Sequence, residues 1–284
     1  MKIRAPAKIN LGLRVVGKRA DGYHLLDTII VGVSLYDEID VRKLGVAPGA
    51  EPIQIRCDHP DMPPAGENIV YRAAQLILKK VRRPQPISIR IKKNIPVGAG
   101  LGGGSSDAAA TLIALNRLFN LRLSPSMLRK SALTLGADVP FFIQARPARA
   151  QGIGERLRPL RNLPRFWAVI VYPGFPVSTA WVYGNLRRKL TKPIVNTSIA
   201  ASLKSEDGLA RPLENDLEDV VLKRYPQIGV LKQKVLHEGA LRVLMSGSGS
   251  SVFGIFVSKP AAAKAFRRLR QEEGARAFLV HALN

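Results

Sequence analysis

A single cysteine, Cys57, among 284 residues rules out a disulfide within the chain, and the four scattered histidines give no Cys/His spacing of a zinc site. Long apolar runs are missing too. No stretch approaches the roughly 18 apolar residues of a membrane span, and the opening Met-Lys-Ile-Arg-Ala-Pro carries no apolar signal region. A soluble cytoplasmic protein with no membrane partner is expected. Acidic residues are scarce: 21 Asp and Glu stand against 44 Lys and Arg, a formal net charge of +23. The excess is densest from Phe142 to Lys192, where ten Lys/Arg face the single acid Glu155. Such a field concentrates anions, whether nucleic acid, phosphorylated metabolites or acidic lipid. No zinc-finger spacing, aromatic RNA-binding signature or basic heptad region accompanies the charge, so no specific nucleic acid is expected. Apolar residues at 46% and charged residues at 23% exclude a disordered chain and allow a substantial core.

The hydrophobic pattern sketches mixed strands and helices. Ile3, Ala5, Ala7, Ile9, Leu11 and Leu13 alternate with Lys2, Arg4, Lys8, Asn10 and Arg14, the pattern of a strand with one polar face. Arg19 to Gly22 reads as a turn, and 28–33 and 38–44 as further strands. Asn68 is a plausible N-cap for a helix through Val70, Ala73, Ala74, Ile77 and Val81. Ile87, Ile89 and Ile91 alternate as a strand. After a Gly/Ser loop, a helix is expected from near Ser106 to about Phe119, and Ser124-Pro125 starts another that Gly136 ends. The second half opens with an apolar strand, 167–172, followed by a polar connection over 187–207. Helical patterns at 215–223 and 226–237, strands at 241–245 and 252–257, a helix at 260–273 and a strand at 277–282 complete the chain. Without strict βα alternation, this order favours a two-domain α+β architecture, with the boundary near 150–165.

The chemically loudest segment is Pro96-Val97-Gly98-Ala99-Gly100-Leu101-Gly102-Gly103-Gly104-Ser105-Ser106, set between a strand and an apolar helix. Glycines let the backbone approach an oxygen-rich ligand. The helix start adds unpaired N–H groups and the positive end of its dipole. A flexible linker rarely runs from strand to helix with a Pro-x-Gly opening, so a phosphate cradle is the better reading. Gly98 to Gly103 fits G-x-G-x-x-G, but positions 117–123 hold no acid, which removes the dinucleotide fold. No G-K-[ST] ending follows, which removes the P-loop. Beyond the cradle, Asp138 follows a helix stop and precedes the apolar run Val139 to Ile143, where a carboxylate often merely caps a turn. Lys8 and Asn10 share one strand face. Together with a phosphate cradle, Asp138 can take a hydroxyl proton and Lys8 can neutralise a transferring phosphoryl group.

Three segments then carry a resemblance. Ala5-Pro-Ala-Lys8-Ile-Asn10-Leu11, Pro96 to Ser106, and Ser246-Gly247-Ser248-Gly249-Ser250-Ser251 are similar, in order, to the signature motifs of the GHMP kinases, with Asp138 between the second and third. The resemblance implies the GHMP kinase fold: an N-terminal ribosomal protein S5 domain 2-like domain over 1–155 that binds ATP, and a ferredoxin-like C-terminal domain over 156–284. It implies ATP with Mg²⁺, Ser106 at the helix start being a candidate metal ligand. Lys8, Asp138 and Asn10 would be catalytic, and Gly247, Ser248 and Gly249 would approach the phosphates and substrate. Arg19 to Thr28, with Leu133 to Pro140, resembles the branch that phosphorylates the 2-hydroxyl of a diphosphocytidyl methylerythritol in the non-mevalonate route to isopentenyl diphosphate. That likeness implies Tyr23 stacking on the cytosine, His24 hydrogen-bonding the base, and Tyr183 or the neighbouring Trp181 covering its other face. Two other readings stay open, a GHMP kinase for an alcohol of the homoserine or mevalonate type and a basic nucleic-acid-binding protein on a kinase-like fold. Gly22-Tyr23-His24 argues against the first; intact Lys8, Asp138 and glycine loops argue against the second.

Overall fold

The computed structural model describes residues 1–45, 49, 51–60, 63–64, 66–161, 163–186 and 214–283. The connection read at 187–207 lies outside the described residues. The strands are β1 (Lys2–Lys18), β2 (His24–Lys43), β3 (Ile53–Cys57), β4 (Ile87–Lys92), β5 (Ala148–Gly152), β6 (Arg156–Pro159), β7 (Trp167–Tyr172), β8 (Arg242–Met245), β9 (Val252–Phe256) and β10 (Arg276–His281). The helices are α1 (Ile69–Leu78), α2 (Gly103–Leu118), α3 (Pro125–Leu133), α4 (Val139–Phe142), α5 (Thr179–Gly184), α6 (Glu218–Arg224), α7 (Pro226–His237) and α8 (Lys259–Leu269). Two compact units result, each assembled from several chain segments. The first comprises Met1–Ala7, Leu35–Ile95 and Gly102–Ala145; the second comprises Lys8–Ser34, Pro96–Leu101 and Arg146–Asn284.

In the first unit, the C-terminal half of β2 runs antiparallel to β4, with Glu38 opposite Lys92, and β4 runs parallel to β3. Ile87, Ile89 and Ile91 are buried as their alternation requires. Asn68 caps α1 as expected, its Oδ1 accepting from Val70 N at 2.9 Å. Ser124 does the same for α3 through Met127 N.

In the second unit, the N-terminal half of β2 pairs with β5, and β5 with β6. A four-stranded antiparallel sheet in the order β10-β7-β9-β8 follows. Numbered along the chain these strands read 4-1-3-2, with helices after the first and third, which is the ferredoxin-like arrangement. Its core gathers Val169, Val171, Val182, Val235, Met245, Val252, Phe256 and Leu269. Gly254 is required where α7 crosses β9, because a Cβ there would come within 2.5 Å of Val235 Cγ1.

Three local differences from the sequence reading have physical causes. β2 is one strand rather than two, although Asp37 interrupts its apolar pattern. That carboxylate is buried and accepts from the backbone N–H of Asn94 and Ile95 at 2.6 and 2.8 Å, so the strand continues through it. α2 begins at Gly103, not near Ser106, because positive φ values at Gly98, Gly100 and Gly102 end the loop there. Its Gly-Gly-Ser opening has poor helix propensity, and packing overrides it. The β5–β6 hairpin was missed because its buried residues, Ala148 and Ala150, are small and give little hydrophobic signal. The apolar run Val139 to Ile143 opens with a single helical turn, Val139 to Phe142.

Candidate active site

In the second unit the polar face of β1 carries Lys8 and Asn10, both almost fully buried. Lys8 Nζ donates to Asn10 Oδ1 at 2.7 Å, and Asn10 Nδ2 donates to Thr28 Oγ1 at 2.9 Å. The Thr28 hydroxyl spends its one proton on Gly12 O at 2.7 Å. It can therefore only accept from Asn10, which fixes the amide with its oxygen toward the ammonium. Thr28 thus orients Asn10, and the sequence reading did not single it out. It lay inside the Arg19–Thr28 segment, and the period of two along β2 was its only signal.

Two glycine loops close on this pair. The first, Pro96 to Leu101, accepts a backbone hydrogen bond from Lys8 N to Leu101 O at 2.9 Å. The other, Ser246 to Ser251 between β8 and β9, is closed by Ser246 N to Ser251 O at 2.9 Å and Gly249 N to Ser246 O at 3.0 Å. Ser246 Oγ donates to Gly100 O at 3.0 Å and Ser251 N to Ala99 O at 3.2 Å, so the loops are bound to each other. Buried Asn215 supports the turn from below, donating to Met245 O at 2.9 Å and Gly247 O at 2.7 Å. A Cβ at Gly100 would fall 1.9 Å from Ser246 O; one at Gly247 would fall 3.2 Å from Lys8 Nζ and 3.3 Å from Asn10 Oδ1. Both glycines have positive φ. Conformation favours glycine at both positions, and space demands it at Gly100. Ser248 is buried and shares a 2.8 Å hydrogen bond with Thr179 at the start of α5.

The residues expected to meet a base divide. Tyr23 is 62% exposed in the turn before β2, its amide bonded to Asp21. His24 stacks on Tyr183 with ring centroids 5.3 Å apart and planes 25° apart. Trp181 instead meets Tyr225 edge to face and lies under the Arg224 guanidinium. Burial and the nearby Lys18 lower the His24 pKa, favouring a neutral imidazole with one donor and one acceptor nitrogen.

The first unit holds the remainder of the glycine segment. Gly102 occupies the N-cap position of α2 at φ +71°, with no side-chain cap. Ser106 N makes the first intrahelical bond, to Gly102 O at 2.9 Å, so the N–H groups of Gly103, Gly104 and Ser105 precede the ladder. Donors of this kind at the positive end of a 16-residue helix form an anion site. Ser106 Oγ is buried and has no hydrogen-bond partner among the described residues. Asp138 stands at the N-cap position of α4, yet its carboxylate makes no capping hydrogen bond.

Beneath α2 lies a charge cluster drawn from three separate chain segments. Lys93 Nζ bonds Asp107 Oδ2 at 2.7 Å and also Asp37. Burial alone would lower the Lys93 pKa, but Asp107 and Asp37 outweigh it and the net direction is upward. Burial pushes the Asp107 carboxyl up to about 8; Lys93 opposes that rise and Asp37 adds to it. A raised folded pKa means that Asp107 contributes stability below its unfolded value, ~3.9, and loses it as pH climbs toward about 8. Asp107→Asn is neutral throughout. The excess of the wild-type unfolding midpoint over that of the variant should therefore shrink between about pH 5 and pH 8, measured by thermal melts in EDTA. A constant difference would refute the assignment.

Comparison with known proteins agrees on one relationship. Residues 68–146 match the GHMP kinases N terminal domain and residues 199–275 the GHMP kinases C terminal domain. A 4-diphosphocytidyl-2-C-methyl-D-erythritol kinase of Syntrophus aciditrophicus is 48% identical over 265 residues, covering 93% of each chain. One from Syntrophotalea carbinolica is 47% identical over 280 residues, covering 99% of this chain and 98% of that one. A crystal structure of 4-(cytidine 5'-diphospho)-2C-methyl-D-erythritol kinase superposes with a TM-score of 0.86 at 37% identity, covering both chains fully. A homoserine kinase from Cytophaga hutchinsonii, at 20% identity and TM-score 0.74, shares the fold.

Proposed function

Because the chain belongs to the 4-diphosphocytidyl-2-C-methyl-D-erythritol kinase family of the GHMP kinases, we propose that it transfers the γ-phosphoryl group of ATP to the 2-hydroxyl of 4-diphosphocytidyl-2-C-methyl-D-erythritol. The observation that carries this reading is Lys8 Nζ, hydrogen-bonded to Asn10 and lying where a Gly247 Cβ would touch it. A buried cation beside two joined glycine loops suits a transferring phosphoryl group.

The acceptor O–H gives its proton to the Asp138 carboxylate. Its oxygen forms the new P–O bond as the bond from the γ-phosphorus to the β,γ-bridging oxygen breaks, and ADP leaves with that electron pair. Lys8 neutralises charge on the transferring group, and Asn10 holds the ammonium in place. The amides of Gly103, Gly104 and Ser105 bind the nucleotide phosphates. The unpartnered Ser106 Oγ fits a Mg²⁺ ligand. No group of three or more His, Cys, Asp or Glu gathers as a metal site among the described residues, so phosphate oxygens and water would complete the coordination. The ion supplies charge neutralisation when bound. On the acceptor side, His24 hydrogen-bonds the cytosine and Tyr23 offers a stacking face. Tyr183, held on His24, is the second aromatic rather than Trp181.

No helix among the described residues is long and apolar enough to cross a membrane, and the acceptor is a small molecule. The reading is tested by incubating the protein with ATP, Mg²⁺ and the diphosphocytidyl methylerythritol and weighing the product. Gain of one phosphoryl group supports it; phosphorylation of homoserine or mevalonate in its place rejects it. Gly100→Ala should weaken binding of a non-hydrolysable ATP analogue about tenfold or more, since ~1–3 kcal/mol of backbone strain adds to the clash with Ser246 O. Calorimetric titration checks this, and an unchanged affinity would show that the loop contact is not needed.

A further inference from the structure

Between β7 and α5 the chain forms a short strap, Phe175 to Ser178, held at several points by both glycine loops. Val177 N donates to Gly98 O at 3.0 Å. A Cβ on Gly98 would meet Pro176 Cβ at 2.6 Å, so that loop lies directly on the strap. Ser250 Oγ donates to Phe175 O, and the hydroxyls of Thr179 and Ser248 share their 2.8 Å hydrogen bond. The strap then becomes α5, whose N-cap Ser178 accepts from Trp181 N at 3.3 Å. Four residues beyond Thr179, about 6 Å of helical rise, Tyr183 lies on His24. A contiguous set of contacts thus runs from the His24–Tyr183 rings through one turn of α5 and the Thr179–Ser248 bond to Gly247, beside Lys8 and Asn10.

We propose that Thr179 is a positioning residue that couples the cytidyl side of the site to the third-motif glycine loop, so that acceptor and nucleotide bind cooperatively. This rests on the function proposed above. Seating a base against His24 and Tyr183 restrains α5, and Thr179 passes the restraint to Ser248 and hence to Gly247. Such coupling is a binding free energy shared by two sites, and it is reciprocal. The hydroxyl is not needed to hold α5 in place. Ser178 caps the helix, and Val177 and Val182 anchor it in the core. Removing one hydroxyl should therefore cut the link and leave the helix.

The experiment measures, by calorimetry, the affinity of a non-hydrolysable ATP analogue with and without saturating cytidine 5'-diphosphate. In the wild type the two ligands should strengthen each other by about fivefold or more. Thr179→Val should bring that factor to about one with each separate affinity changed less than about twofold, while Thr179→Ser, which keeps the hydroxyl, should retain it. Ser248→Ala breaks the same bond from its other end. It should bring the coupling factor to about one as Thr179→Val does, whatever it does to the separate affinities at the phosphate loop, and the double variant should lower the coupling no further, which keeps the test decisive if one variant fails to fold. Independent or competitive binding in the wild type overturns the proposal, as does coupling that survives Thr179→Val. If the cytidine diphosphate does not bind at all while the ATP analogue does, the acceptor assignment itself fails, and the coupling falls with it.

Discussion

Lys8→Met is expected to lower kcat by about 10³-fold while binding of an ATP analogue changes only a few-fold. Methionine keeps the length of the buried side chain and removes its charge. The lost function is neutralisation of the phosphoryl group in flight, a charge that the bound nucleotide alone does not present in the same form. One structural cost comes with it. Asn10 Oδ1 loses its 2.7 Å donor and becomes a buried unpaired acceptor, at ~1–3 kcal/mol of stability. A melting curve separates that cost from the kinetic loss. Lys8→Arg should not rescue turnover, because a planar guanidinium differs in shape and donor geometry from the buried ammonium that Asn10 holds. Turnover of Lys8→Met within about tenfold of wild type would remove Lys8 from the chemistry.

Asp138→Asn should lower kcat by about 10²–10⁴-fold, the range for losing a general base, again with nucleotide binding retained. The amide is nearly isosteric but cannot take the acceptor's proton. The carboxylate makes no capping bond at α4, and a melting curve measured beside the kinetics reports any stability that the substitution removes. The kinetic effect then stands apart from stability. Near-normal turnover would show that solvent or the phosphate itself takes the proton. A matching collapse of the unfolding midpoint would instead make Asp138 structural.

The glycine segment shows how far sequence reading reached. Its phosphate-binding character was legible because a run of glycines before an apolar helix is a local signal. The helix starts about three residues earlier than expected, because Gly103 and Gly104 have poor helix propensity, and Gly103 lies close against Ile95 and Lys93 in the folded chain. Lys8 and Asn10 were placed on one face by period two alone. Their orientation was not, since Thr28 lies 18 residues from Asn10 and joins it only once the strands pair. The aromatic pair was narrowed but left open between Trp181 and Tyr183. In the folded chain Trp181 meets Tyr225 and Arg224, and Tyr183 stacks on His24.

What the chain specifies alone is chemistry that lives within a few residues: positive-φ glycines, the Asn68 and Ser124 caps, alternating strand faces, and the motifs that mark a kinase family. What only the folded molecule decided is which distant groups hold those residues in working geometry. Ser246 reaches Gly100 across 146 positions, Asn215 reaches Gly247 across 32, and Lys93 gathers Asp37 and Asp107 from 56 and 14 positions away. Dihedral preference and periodicity describe neighbours along the backbone. A hydrogen bond between remote side chains leaves no mark on either, and it exists only when strand register and loop packing bring the two atoms within about 3 Å.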